Sequence, residues 1–156
     1  VIPPFIFRLQ MHLIPFLICA DSALGKVDKS TLSQQTLMEL FIEKLTQNKA
    51  LICSNPENPA PITEWNGTEG VGYPVFVQWG LQFNASGEVT VVNFDHLDLL
   101  GKIQLEWLPL TTTDCMVADN KLSGTVNMDN LPDPLIVLDL SSNKFTGRVN
   151  LTNLPS

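Results

Sequence analysis

Residues 135–149 read Leu135-Ile136-Val137-Leu138-Asp139-Leu140-Ser141-Ser142-Asn143-Lys144-Phe145-Thr146-Gly147-Arg148-Val149. A step of 23 residues back from Asn143, Phe145, Gly147 and Val149 lands on Asn120, Leu122, Gly124 and Val126. A second step lands on Leu97, Leu99, Gly101 and Ile103. The same spacing joins Val92, Cys115 and Leu138, then Phe94, Val117 and Leu140, then the pairs Leu108-Pro109, Leu131-Pro132 and Leu154-Pro155. So many independent positions sharing one period mark an internal repeat. Each repeat is a unit that cannot bury its apolar face alone and must stack on its neighbours.

Each unit reads as a short strand, a turn and a looser return. The apolar positions point inward. Asn120 and Asn143 stand where the chain leaves the strand, where a side-chain amide can serve backbone groups that the turn leaves unpaired. Gly101, Gly124 and Gly147 allow a sharp bend on the return side. The stretch from Leu135 to Val149 resembles the leucine-rich repeat pattern Leu-x-x-Leu-x-Leu-x-x-Asn-x-Leu-x-Gly over its full length. The resemblance implies an α/β fold: a leucine-rich repeat solenoid with parallel strands on a concave face and an N-terminal helical cap. About three repeats are expected over 89–156, cut off at the C-terminal end. Thr112 and Cys115 stand where Leu is usual, and Leu97 replaces the Asn of the first unit.

Residues 24–88 differ in character and read as the cap. Thr31-Leu-Ser-Gln34 fits a capping box, and Leu37, Met38, Leu40, Phe41 and Leu45 recur at helical spacing. A helix is predicted over about 32–47, followed by a loop rich in Pro, Gly, Asn and Glu from Ser54 to Pro74. The stretch Trp79-Gly80-Leu81-Gln82-Phe83 resembles the plant-type leucine-rich repeat cap, Trp-x-Gly-Val-x-Cys. It departs from that cap in placing Trp79 beside the Gly and Phe83 at the Cys position. The cap disulfide of that family is therefore not expected, and packing by Trp79 and Phe83 replaces it. Gly-Thr-Val-Asn at 124–127, Gly-Arg-Val-Asn at 147–150 and the Asn-Leu-Pro endings are more similar to surface leucine-rich repeat proteins of protozoa such as kinetoplastids.

Residues 1–23 read as a leader. Leu13–Ala20 has the length of a signal-peptide apolar core, and small residues follow at Ala20, Ser22 and Ala23. A membrane anchor and an untargeted stretch are the alternatives, because Pro3, Pro4, Arg8, Gln10, His12 and Pro15 interrupt the run. A chain opening on Val1 reads as a fragment. The net charge of −7 over 156 residues disfavours nucleic acid, which requires Lys and Arg to displace phosphate counterions. It also disfavours direct lipid binding by the repeats. A protein or peptide ligand, basic in character, fits better. Cys19 falls in the leader. Cys53 and Cys115 are expected to stay unbridged, with Cys115 in the interior.

No Ser-His-Asp or Cys-His arrangement, metal-ligand cluster or phosphate loop is legible, so no catalytic, metal or cofactor-binding residue is assigned. The surface with a functional prior is the concave face, where Asn93, Asp95, Asp114, Met116 and Asp139 project from successive strands. Thr90, Val91, Thr113, Ala118, Ile136, Val137 and Ser141 flank them. Three sequons, at Asn66, Asn84 and Asn150, are glycosylation candidates; the alternative is ordinary loop Asn. These features read as a non-enzymatic recognition module, secreted or on the cell surface. An ectodomain fragment of a receptor kinase and a structural surface-coat protein are the other readings. Sequence downstream would separate the kinase reading, and finding a ligand would separate the coat reading.

Overall fold

The computed structural model describes residues 27–65 and 79–149. The expected leader, the sequons at Asn66 and Asn150, and the final residues Leu151 to Ser156 lie outside the described residues. What is described is mixed α/β, with few helices and two four-stranded mixed sheets. The strands are β1 (Leu45–Gln47), β2 (Gly80–Phe83), β3 (Val89–Asn93), β4 (Leu100–Gly101), β5 (Asp114–Met116), β6 (Lys121–Thr125), β7 (Val137–Asp139) and β8 (Lys144–Thr146).

The main helix, α1 (Gln34–Ile42), is shorter than the apolar spacing predicts. Ser33 caps it, accepting from the Thr36 amide, whereas Thr31 ends a separate 3-10 turn at Lys29–Thr31 capped by Asp28. The early C-terminal end has a long-range cause. Helix ends leave carbonyls unpaired, and here the return side of the first repeat unit takes them. Gln104 donates from its side chain to Leu40 O (2.6 Å) and from its amide to Phe41 O (3.2 Å). The Lys102 amide donates to Lys44 O at 3.0 Å. Leu45 is buried as expected, but from β1, which pairs antiparallel with β4. The expected loop after residue 54 holds a 3-10 turn at Ile62–Glu64. A short second helix, α2 (Ala50–Cys53), precedes it.

The first sheet has the order β2-β3-β5-β7. β2 and β3 form an antiparallel hairpin; β3, β5 and β7 run parallel. Val91 pairs with Asp114 and Asp114 with Val137; Val92, Cys115 and Leu138 form the next row; Asn93, Met116 and Asp139 the third. Every partner is thus 23 residues on, the step read from the sequence. The second sheet, β1-β4-β6-β8, was not anticipated. Its repeat strands pair at a different step: Gly101 with Leu122 and Gly124 with Phe145, each 21 apart.

The turn between the sheets repeats as well. His96, Asp119 and Ser142, again 23 apart, all have positive φ, at 55°, 51° and 52°. The Asn that follows holds this turn. Asn120 Oδ1 accepts from the Leu99 amide of the preceding unit (2.9 Å), and its Nδ2 donates to Phe94 O, Val117 O and Ala118 O. Asn143 repeats this toward Leu122, Val117, Leu140 and Ser141. The first unit has Leu97 instead, and Asn48 bonds a different pair of carbonyls there: its Nδ2 donates to Leu97 O and Asp98 O, both at 3.1 Å.

The core lies between the sheets and under α1. Met38, Phe41 and Ile42 meet Val92, Phe94, Leu99, Cys115, Val117 and Leu122. The Phe41 and Phe94 rings stand 6.4 Å apart, a favourable tilted contact. Trp79 and Phe83 pack against this core half-buried. Both Cys53 and Cys115 are free and buried, and burial pushes both thiols up, which makes them poor nucleophiles. In the third unit Leu135, Leu138, Leu140 and Phe145 are only half-covered.

Thr112 occupies the position of Val89 and Leu135 in the repeat and is fully buried. Among the described residues its hydroxyl has no hydrogen-bond partner. Burying a hydroxyl unpaired costs about 1–3 kcal/mol. Thr112→Val keeps the shape and removes the hydroxyl. It is expected to raise stability by about 1 kcal/mol, read as a higher urea midpoint at unchanged slope.

Candidate functional site

Four of the five expected residues, Asn93, Asp114, Met116 and Asp139, fall in two cross-strand rows of the first sheet. Gln82, Val91, Asp114 and Val137 form one, because each pairs with the next. Gly80, Asn93, Met116 and Asp139 form the other. Adjacent strands lie about 4.8 Å apart, and alternate residues along a strand about 7 Å. Asp114 and Asp139 are therefore diagonal neighbours, with Met116 and Val137 completing the square. The strands hold this spacing because Val92, Cys115 and Leu138 anchor the opposite face inward.

The expected site residues are not equivalent. Asp114 is half-buried, and its Oδ2 accepts from the Thr113 hydroxyl at 2.5 Å. Asp139 accepts from the Ser141 amide at 2.9 Å, and the Ser141 hydroxyl and amide hold its carboxyl below the ordinary carboxylate range. Met116 is half-exposed between them. Asp95 lies beyond the end of β3. Its Oδ1 accepts from the Ala118 amide of the next unit at 2.6 Å. Partial burial pushes its carboxyl up against that bond, helped by the charges of Asp139 and Asp119. Asn93 is 4% exposed, and its Oδ1 accepts from the Asp95 amide at 3.2 Å. Its side chain organises the strand end more than it faces solvent. Ile136, 82% exposed, and Val137 add apolar surface at the β7 edge.

Asn84 sits in the exposed turn between β2 and β3. Its Oδ1 accepts from the Ser86 and Glu88 amides, and its Nδ2 donates to Glu88 Oε2. His96 is exposed, with Nε2 at 3.5 Å from Asp119 Oδ2, the residue at the same position of the next unit. Trp65, in the cap loop, is core: it is 1% exposed, and its indole donates to Ala60 O.

Sequence reasoning missed the outward side of the second sheet, where Lys102, Lys121, Ser123, Thr125, Lys144 and Thr146 stand. The alternation Lys121-Leu122-Ser123-Gly124-Thr125 is the signal that would have found it. Among the described residues no three His, Cys, Asp or Glu side chains converge as metal ligands, and no helix is long and apolar enough to cross a membrane. No protein-family model matches the chain, and no curated protein matches it.

Proposed function

We propose that the chain is a capped leucine-rich repeat solenoid that recognises a protein or peptide on the outward face of its first sheet. The ligand is basic, with apolar groups between its charges. The observation that carries this reading is the register: Asp114 and Asp139, with Val91, Met116 and Val137 between and beside them, lie in rows that cross several strands. One extended ligand touches several such side chains at once. The module is non-enzymatic and works outside the cell or on its surface. The exposed sequon at Asn84 supports that location.

The test is a titration with a fluorescent Lys-rich peptide carrying interspersed Leu or Val. Asp114→Asn with Asp139→Asn is expected to weaken binding roughly three- to tenfold, since each half-exposed pair contributes about 0.2–1 kcal/mol. The slope of affinity against salt should flatten as well. Equal binding by wild type and the folded double variant excludes this face.

A further inference from the structure

Across residues 79–149, Lys and Arg occur at Lys102, Lys121, Lys144 and Arg148 and nowhere else. All four are exposed, and all lie on the strands of the second sheet or within two residues of them. Lys44 joins them at the start of β1, where its carbonyl accepts from the Lys102 amide. Five of the chain's nine Lys and Arg thus share one face, although the chain as a whole carries −7. The other outward positions there include Thr46, Ser123, Thr125 and Thr146, which are hydroxyls rather than acids. Lys121 is paired with Asp98 at 2.7 Å. Among the described residues no carboxylate lies within ion-pair distance of Lys44, Lys102, Lys144 or Arg148.

The first sheet has the opposite composition. Its strands and following turns hold Asp95, Asp114, Asp119 and Asp139 without a Lys or Arg. The two sheets share one core and turn their outer faces in different directions. The charged groups of the first sheet and its turns are therefore mainly acidic, and those of the second sheet mainly basic. Two identical copies cannot satisfy both faces in a closed two-fold pair that uses one patch. A head-to-tail contact satisfies one of each and leaves the others open.

We infer that the acidic face of the first sheet on one copy takes the basic face of the second sheet on another, so that the chain associates head to tail. This rests on the reading of the first-sheet face as a site for basic partners, and it names a second copy as one. Charge complementarity is the argument: Asp114 and Asp139 on one face answer Lys102 and Lys144 on the other. Both copies carry −7 and repel at long range. At about 0.1 M salt that repulsion is screened beyond about 10 Å, while facing patches in contact still attract.

The test is sedimentation velocity of the full chain over a concentration series, at about 0.1 M and about 1 M salt. Two variants accompany it: Lys102→Glu with Lys144→Glu, which makes both faces acidic, and Asp114→Lys with Asp139→Lys, which makes both basic. Circular dichroism checks folding, and the single variants Lys144→Glu and Asp139→Lys serve if a double variant does not fold. The expected result is that wild type associates at the lower salt and not at the higher. Each variant alone stays monomeric, and their equimolar mixture associates. A monomeric wild type, a variant that associates alone, or a monomeric mixture overturns the proposal. So does association that survives the higher salt, which would point to apolar contact through Ile136 and Val137. Binding of an oligolysine peptide to wild type and to Asp114→Asn/Asp139→Asn separates the two ideas. If wild type binds it more tightly than that variant but does not self-associate, the first-sheet face stands and the head-to-tail contact alone falls. If wild type does not bind it, the reading of the face falls too.

Discussion

Replacing Asn120 by Leu is expected to destabilise the protein by about 3–4 kcal/mol, one of the largest effects available to a single side chain here. Asn120 is 7% exposed and makes four hydrogen bonds, three of them to carbonyls. Two of those carbonyls keep another donor. Val117 O retains Asn143 Nδ2, and Ala118 O retains the His96 amide. The Leu99 amide and Phe94 O lose the partner they have in Asn120. Two buried groups left unpaired cost about 1–3 kcal/mol each. Asn143→Leu is the internal comparison. Asn143 makes the equivalent bonds but is half-exposed, so water relieves part of the loss. It should cost about 1–2 kcal/mol. Urea unfolding of both variants measures the difference, and equal small shifts would mean that the Asn ladder contributes little.

Gly101→Ala is expected to cost at least about 3 kcal/mol and to loosen β1 from β4. Gly101 has φ +120°, which an L residue adopts only under strain. A Cβ there would press on the backbone of β1: on Lys44 O, on Thr46 N at 2.8 Å and on Leu45 Cα at 2.9 Å. Those atoms belong to a paired strand and cannot step aside as a side chain can. Gly124→Ala provides the contrast. Its φ is +91°, but the nearest atoms are the side-chain carbons of Lys102, from 3.0 Å, which can move. Strain alone remains there, about 1–2 kcal/mol. Hydrogen exchange should report the Gly101→Ala effect at β1 and the end of α1 first, because those elements lose their partner strand. Unchanged protection at β1 would count against a steric cause.

The repeat was legible because its signal is local and redundant. Eight positions on one period survive several irregular residues, and β3, β5 and β7 pair at that same step. The second sheet was not legible. Its strands run from two to five residues, too short for an alternation to stand out, and the Lys, Gly and Ser among them have little strand preference of their own. Pairing, not propensity, makes them strands. The end of α1 was hidden for a related reason: Leu45 fits the helical stripe, and what diverts it is Gln104, whose side chain captures the Leu40 carbonyl across the fold. Asn48, which reaches across to the Leu97 and Asp98 carbonyls, has the same long-range character. On the candidate face, the register puts Asp114, Met116 and Asp139 on the side opposite Cys115 and Leu138. Sequence alternation could not show that Asn93 and Asp95 turn their side chains back to hold the strand ends, because that depends on neighbouring amides.

The two pairing steps, 23 in the first sheet and 21 in the second, have a consequence for growth by duplication. On the first sheet each repeat position meets its own copy, so duplicating a unit lengthens uniform columns. On the second sheet each unit slips by two residues, roughly 7 Å along the strand. There Lys144 lies beside Ser123 rather than Lys121, and Lys121 beside Leu100. Unlike side chains alternate, and like charges are kept from stacking. A slip on one side only also imparts a screw to the stack. Were further units to follow the same rule, first-sheet positions would stack in straight columns while second-sheet positions, those of Lys121 and Lys144 among them, wound around the molecule as a spiral.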